Sequence, residues 1–235
     1  MARPDCTTIW VIPMSAVDAA RLAGTLPLEE QRRAAGFRRA VDRDRFVGGR
    51  ILLRVAVAED LAIDPHRVVL AASCPSCGSD GHGRPEVSGH PELHLSLSHA
   101  GDVVVVAAAA HAVGIDVEPF DQRVGFDDSI DDIIGASCTR AERAALATAT
   151  GIRRTELLLG LWTLKEAFIK AAGCSLDHLA EIEVLGSVDH PGNVRWGTTE
   201  LICQSVSLST GHAGALAAGN AEFMIVDGRS AFAAW

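Results

Sequence analysis

Residues 102–118 read DVVVVAAAAHAVGIDVE, and no other stretch constrains the fold as strongly. The apolar run over 103–112 is broken only by His111. It is too short to span a bilayer, and its valine-rich start predicts a buried strand. A second strand over 112–118 follows at once, joined to the first by a tight turn near His111. Further strands are expected at 8–14, 67–72, 93–98, 182–186, 201–209, 214–219 and 222–226. The stretch LHLSLS at 93–98 alternates as a half-buried strand does.

Helices are expected at 28–36 and 42–61, where Phe46, Ile51, Leu53, Ala56, Val57 and Leu61 recur near helical spacing. The capping-box pattern Thr139-x-x-Glu142 opens another. A long helix covers about 155–172, with Gly173 where a C-cap glycine belongs. Residues 73–91, and those after Pro119 to about 132, read as irregular. Helices interspersed with antiparallel-type strands give an α+β class. His99-Ala100-Gly101 and His212-Ala213-Gly214 each precede an alanine-rich strand, a faint echo compatible with two similar halves.

The N-terminus carries no run of signal-peptide character, so a cytoplasmic protein without membrane association is expected. Six cysteines in a chain of this length fit reduced thiols better than a disulfide framework. Cys74-x-x-Cys77 and His82 offer three zinc ligands where a structural site needs four, so two thiols in an irregular loop are the simpler expectation. The formal net charge of −9 argues against a general nucleic-acid binder. Against that background, residues 32–54 hold eight arginines and two aspartates. Such a segment suits a confined anionic ligand or an acidic partner, and equally a solvated helix face.

Asp116 and Glu118 stand at i and i+2 on a strand, hence on one face, with Ile115 and Val117 turned to the core. Two carboxylates so placed repel unless a proton or cation lies between them. A hard divalent ion is one solution and a solvent-exposed strand end is the other. In the long helix, Leu161, Leu164, Phe168 and Ala171 form a core stripe, while Trp162, Glu166, Lys170 and Gly173 share another face. Lys165 and Lys170 are the only lysines among 21 basic residues. A third carboxylate with amines beside it suits a metal and a phosphate bound together, or a plain surface ion pair. Another magnesium-dependent enzyme acting on phosphate esters would share this acidic cluster.

GIDVEP followed some fifty residues later by WTLKEAFIKAAG resembles the paired signatures of the 4'-phosphopantetheinyl transferases, of the larger type that activates peptide and polyketide synthases. RFVGGRILLR at 45–54, Gly83-Arg84-Pro85 and LSLSHAG at 95–101 resemble the family's upstream elements, in family order. Leu95, Ser96 and Ala100 depart from the usual residues, and Arg84 stands where lysine is common. The resemblance implies a pseudo-dimer of two similar α/β subdomains, here 1–113 and 114–235, with coenzyme A at their junction and a monomer as default. It implies transfer of the phosphopantetheine arm of coenzyme A to a serine of an apo acyl or peptidyl carrier protein, with release of 3',5'-ADP. Asp116, Glu118 and Glu166 would hold Mg²⁺, Glu166 would also take the serine proton, and Lys170 would meet the phosphates. Lys165 is assigned to the coenzyme as well, although it lies one residue from Glu166 and points elsewhere. Ser98 and His99 would contact the 3'-phosphate end, Arg45 and Arg33 would add charge there, and Gly83, Arg84 and Pro85 would lie along the adenine.

Overall fold

A computed structural model describes residues 6–73, 83–120, 130–208 and 211–235. Two four-stranded sheets carry the fold, and each follows one plan. In the first half, β1 (Thr7–Pro13) leads through two short helices, α1 (Ala19–Leu22) and α2 (Leu28–Ala35), into the 22-residue α3 (Ala40–Leu61). A small antiparallel ribbon, β2 (Leu70–Ser73) and β3 (Arg84–Val87), precedes the hairpin of β4 (His94–Ala100) and β5 (Val103–Ala109). In the second half, β6 (Val113–Pro119) is followed by α4 (Ile130–Ser137), α5 (Arg140–Thr148) and the 22-residue α6 (Gly151–Ala172). The chain then adds β7 (Gly192–Trp196), β8 (Thr199–Ser205) and β9 (His212–Ala218). Strand, long helix and antiparallel pair thus occur twice, as β1-α3-β4-β5 and β6-α6-β8-β9, and in each half the first strand pairs antiparallel with the last. The expectation of two similar α/β subdomains in an α+β chain is met.

The sheet orders are β10-β1-β5-β4 and β6-β9-β8-β7. The first includes the chain's late return: β10 (Phe223–Asp227) pairs parallel with β1, and α7 (Arg229–Ala234) carries Phe232 into the first core. The tight turn after β5 is present, but β5 and β6 do not pair. β5 already has β1 and β4 as neighbours and is buried at every residue, so the turn passes the chain from one sheet to the other.

Three apolar clusters follow from this. α3 packs on the outer face of the first sheet through residues such as Ile51, Leu52 and Val55. α6 packs on the second through Leu161, Leu164, Phe168 and Ala171, the stripe read from the sequence. Between the sheets, Ile9, Val105 and Ala107 meet Ile115, Val117 and Leu216.

Several sequence expectations need correction. Residues 182–186 form no strand: backbone N–H groups there are claimed by carboxylates, Val184 by Glu142 (3.0 Å) and Leu185 by Glu183 (2.9 Å). The segment instead links two 3₁₀ turns, Leu176–Glu181 and Leu185–Ser187. α1, β3, β7, α4 and α7 arise where no element was expected. The His-Ala-Gly echo is not a structural equivalence, because His99 ends β4 whereas His212 opens β9. The Cys74, Cys77 and His82 zinc alternative lies outside the described residues. Among those described, Cys6, Cys138, Cys174 and Cys203 form no disulfide. No described helix is long and apolar enough to cross a membrane.

Candidate active site

The site begins with a glycine. A Cβ at Gly114 would lie 1.9 Å from the Ala167 carbonyl oxygen and 2.7 Å from the Ala171 nitrogen. Only its absence lets α6 lie directly on β6. That close approach brings the Glu166–Lys170 face of the helix against the Asp116–Glu118 face of the strand. Lys170 Nζ donates to Asp116 Oδ1 (2.6 Å) and to the Ile115 carbonyl (3.3 Å). The hydroxyl of Ser98, arriving from β4 in the other half, donates to the same Oδ1 (2.8 Å). Asp116 is 4% exposed, and its second oxygen, Oδ2, is buried with no hydrogen-bond partner. Burial lifts the Glu118 carboxyl to about 6, with the Asp116 and Glu166 charges adding and Lys170 opposing. Glu166 is raised for the same reasons, burial first and Asp116 next.

Three crowded carboxylates, one with an orphaned buried oxygen, and a single ammonium form an excess of negative charge in a half-buried setting. Carboxylate oxygens of this kind fit a hard divalent ion. Among the described residues no three side chains of His, Cys, Asp or Glu stand in ready-made metal geometry. A cation here would need water or ligand oxygens to complete its shell, as Mg²⁺ commonly does.

Lys165 does not join this group. It is 1% exposed and points into the second core, donating to Glu142 (2.7 Å) and to the carbonyls of Ser137 (2.8 Å) and Leu179 (2.6 Å). Adjacent helix positions diverge by about 100° at 3.6 residues per turn, so Lys165 and Glu166 cannot serve the same face. Assigning Lys165 to a bound coenzyme is therefore corrected to an internal role. Its partner Glu142 was legible only as a capping residue. Its carboxylate does accept from Thr139 N–H (2.8 Å), but it is also wholly buried.

A cavity of 390 Å³ opens beside Lys170, lined by Gly83, Arg84 and Pro85 from β3 and its approach, Ser96 from β4, and Gly173 and Cys174 past the end of α6. Gly83 has φ +116°, a backbone region that favours glycine. Arg84 is anchored at both ends of its guanidinium, to the Ala171 carbonyl (3.4 Å) and to His94 Nδ1 (3.1 Å). Arginine only donates, so His94 accepts at Nδ1 in its neutral form. Burial first, then the charge of Arg84, holds that imidazole below its usual range. His94 was not singled out from the sequence, where it is one of nine histidines.

His99 reaches the surface at the end of β4. Partial desolvation holds its imidazole down, with Arg45 and Lys170 adding to the effect. Arg45 donates to the Gly101 carbonyl and pairs with Asp42 (3.6 Å). Arg33 lies over the Phe46 ring at 5.0 Å. The arginine-rich segment is less cationic than its composition implies. Arg50 and Arg54 are both consumed by Glu30 of α2, at 2.5 and 3.0 Å, and Arg43 by Asp44 at 2.7 Å. Lys170, Arg84, Ser98, Asp116, Glu118 and Glu166 therefore come together, with His99 and Arg45 at one rim.

Two family models match adjoining stretches that together span residues 13–218. One, described as 4'-phosphopantetheinyl transferase, N-terminal, matches residues 13–111. The other, the 4'-phosphopantetheinyl transferase superfamily, matches 112–218. Their junction falls at the turn between β5 and β6, and the chain belongs to the 4'-phosphopantetheinyl transferase superfamily. It is similar to a phosphopantetheinyl transferase of Thraustochytrium sp., at 32% identity over 67% of this chain and 56% of the relative. It is also similar to a 4'-phosphopantetheinyl transferase of Bacillus subtilis, at 27% over 70% and 67% of the two chains. The 4'-phosphopantetheinyl transferase HetI of Nostoc sp. aligns more fully, at 26% over 84% of this chain and 83% of the relative. The alignment thus spans little more than half the length of the Thraustochytrium relative.

Proposed function

We propose that this protein transfers the 4'-phosphopantetheine arm of coenzyme A to a serine hydroxyl of an apo acyl or peptidyl carrier protein. The observation that carries the reading is the buried, unpartnered Oδ2 of Asp116 beside Glu118, Glu166 and Lys170, the last of which also lines the Arg84 cavity. In the reaction the serine oxygen bonds to the phosphorus nearest the pantetheine. The bond from that phosphorus to the bridging oxygen breaks, and 3',5'-ADP leaves with the electron pair. Mg²⁺, held by Asp116, Glu118 and Glu166, would neutralise charge on the pyrophosphate. Lys170 carries a compact, partly exposed ammonium at the same point, suited to phosphate oxygens. Glu166 has a raised proton affinity, which suits it to accept the serine proton directly or through a water.

Gly83, Arg84 and Pro85 border a cavity open to an adenine, and His99 with Arg45 and Arg33 flank the end where a 3'-phosphate would lie. Groups from both halves of one chain converge on the site, which supports a functional monomer divided near residue 113 with its last strand and helix returning to the first half. A cytoplasmic setting accords with a reaction that consumes coenzyme A. The test is release of 3',5'-ADP from coenzyme A, followed chromatographically with and without apo carrier. Release that requires carrier and Mg²⁺ supports transfer, whereas equal release without carrier identifies a hydrolase.

A further inference from the structure

We infer that Ser98 is a positioning residue for the Asp116 carboxylate, so that the first half of the chain sets the cation site carried by the second. The inference rests on the proposed transferase reading. β4 is the edge of the first sheet and β6 the edge of the second, and no backbone ladder joins them. Two hydroxyls do. Ser96 Oγ accepts the Ile115 N–H (3.0 Å), and Ser98 Oγ donates to Asp116 Oδ1 (2.8 Å). Both serines are buried, at 4% and 8% exposure. The polar face of β4 is thus a seam between the halves.

The consequence lies in the carboxylate torsion. Ser98 and Lys170 both donate to Oδ1, which fixes rotation about the Cβ–Cγ bond and leaves Oδ2 as the oxygen on offer. Partners that orient metal-ligating carboxylates in this way typically change metal affinity about 10–100-fold when removed. A serine has one O–H proton, and that of Ser98 is spent on Asp116. It is then unavailable as a donor to a phosphate, which takes donors only. The resemblance implies a contact of Ser98 with the 3'-phosphate end, whereas in this structure its hydroxyl is turned to Asp116. His99, one residue on, alternates to the other side of the strand and keeps its rim position.

The test is Mn²⁺ binding in the presence of coenzyme A, read by electron paramagnetic resonance, beside coenzyme A binding in EDTA by calorimetry. Ser98→Ala should weaken Mn²⁺ affinity about 10–100-fold and leave coenzyme A affinity in EDTA unchanged. Ser98→Thr, which keeps the hydroxyl, should restore the metal to within a few-fold. If Ser98→Ala does not fold, Ser98→Cys, nearly isosteric with a feeble S–H donor, carries the same expectation. Unchanged Mn²⁺ affinity in Ser98→Ala overturns the inference. So does a loss of coenzyme A binding in EDTA as large as the metal effect, because the hydroxyl would then serve the nucleotide. Failure of the wild-type protein to bind Mn²⁺ or coenzyme A at all overturns the transferase reading itself.

Discussion

α6 carries two lysines five residues apart, and each meets a buried carboxylate, yet the two pairs differ in every respect that matters. Lys165 and Glu142 are sealed, at 1% and 0% side-chain exposure. All three ammonium protons have acceptors, and both Glu142 oxygens have backbone donors, from Thr139 and Val184. Lys170 and Asp116 are left incomplete, with the lysine 30% exposed and Asp116 Oδ2 unpartnered. A completed buried ion pair locks elements together, here α4, α5 and the 176–181 turn onto α6. An incomplete one beside a cavity retains capacity for a ligand. The same residue type in one helix therefore builds the scaffold at one position and the site at the other.

The largest effect should come from breaking the sealed pair. Lys165→Met strands Glu142 without its counter-charge and should cost about 3–5 kcal/mol, on the order of 10 °C in Tm. Adding Glu142→Gln should recover most of that loss in thermal denaturation, while the recovered protein keeps coenzyme A affinity. If Lys165→Met instead weakens coenzyme A binding without lowering Tm, the division between the two lysines is wrong.

Next in size is the open pair's neighbour. Glu166→Gln should lower turnover by about 100-fold or more while changing coenzyme A affinity far less, the behaviour of a lost general base. Equal losses in both, measured by steady-state kinetics and calorimetry, would leave Glu166 a ligand only. Lys170→Arg tests whether a compact charge is required. The planar guanidinium cannot occupy the ammonium's position between Asp116 and Ile115, so a fall in turnover with little change in Tm is expected. Near-normal activity would remove that geometric argument.

The smallest effect is electrostatic. Glu118 titrates near 6 in the folded protein and near about 4.3 in an unfolded chain. Between those values the folded state binds more protons than the unfolded state, so stability falls as pH rises through this window. His94 and His99, held below their usual range, pull the other way in the same window. The Glu118 contribution is therefore the difference between wild type and Glu118→Gln melted in EDTA. That difference should decline between about pH 4.5 and 6.5 and shrink with Mg²⁺ and coenzyme A. A difference between wild type and Glu118→Gln that rises with pH across that window would contradict the crowding of these carboxylates.

Much of this was legible in the residues, and the gaps have definite causes. The Asp116–Glu118 face, the α6 core stripe and the Gly173 cap follow from strand and helix periodicity, and Gly173 does adopt φ +70°. The Arg-rich segment misled because composition counts charges and not partners: Glu30, outside the window summed, neutralises Arg50 and Arg54. LHLSLS was legible as a half-buried strand, but period-2 polarity shows only that serine faces away from the core and not what it meets there. Ser96 and Ser98 face another strand. The 182–186 segment has strand-forming residues, but its N–H groups are taken by glutamates, one of them forty-two residues away. No local pattern encodes a competition of that range.

The most direct test of the central claim is the intact mass of an apo carrier protein incubated with this protein, coenzyme A and Mg²⁺. The account predicts a gain of one phosphopantetheine arm, abolished by EDTA and by Asp116→Ala, and retained in the Lys165→Met/Glu142→Gln pair. No gain across fatty-acid, polyketide and peptide carriers, with coenzyme A still bound in calorimetry, would contradict it and leave a protein that holds the coenzyme without transferring its arm.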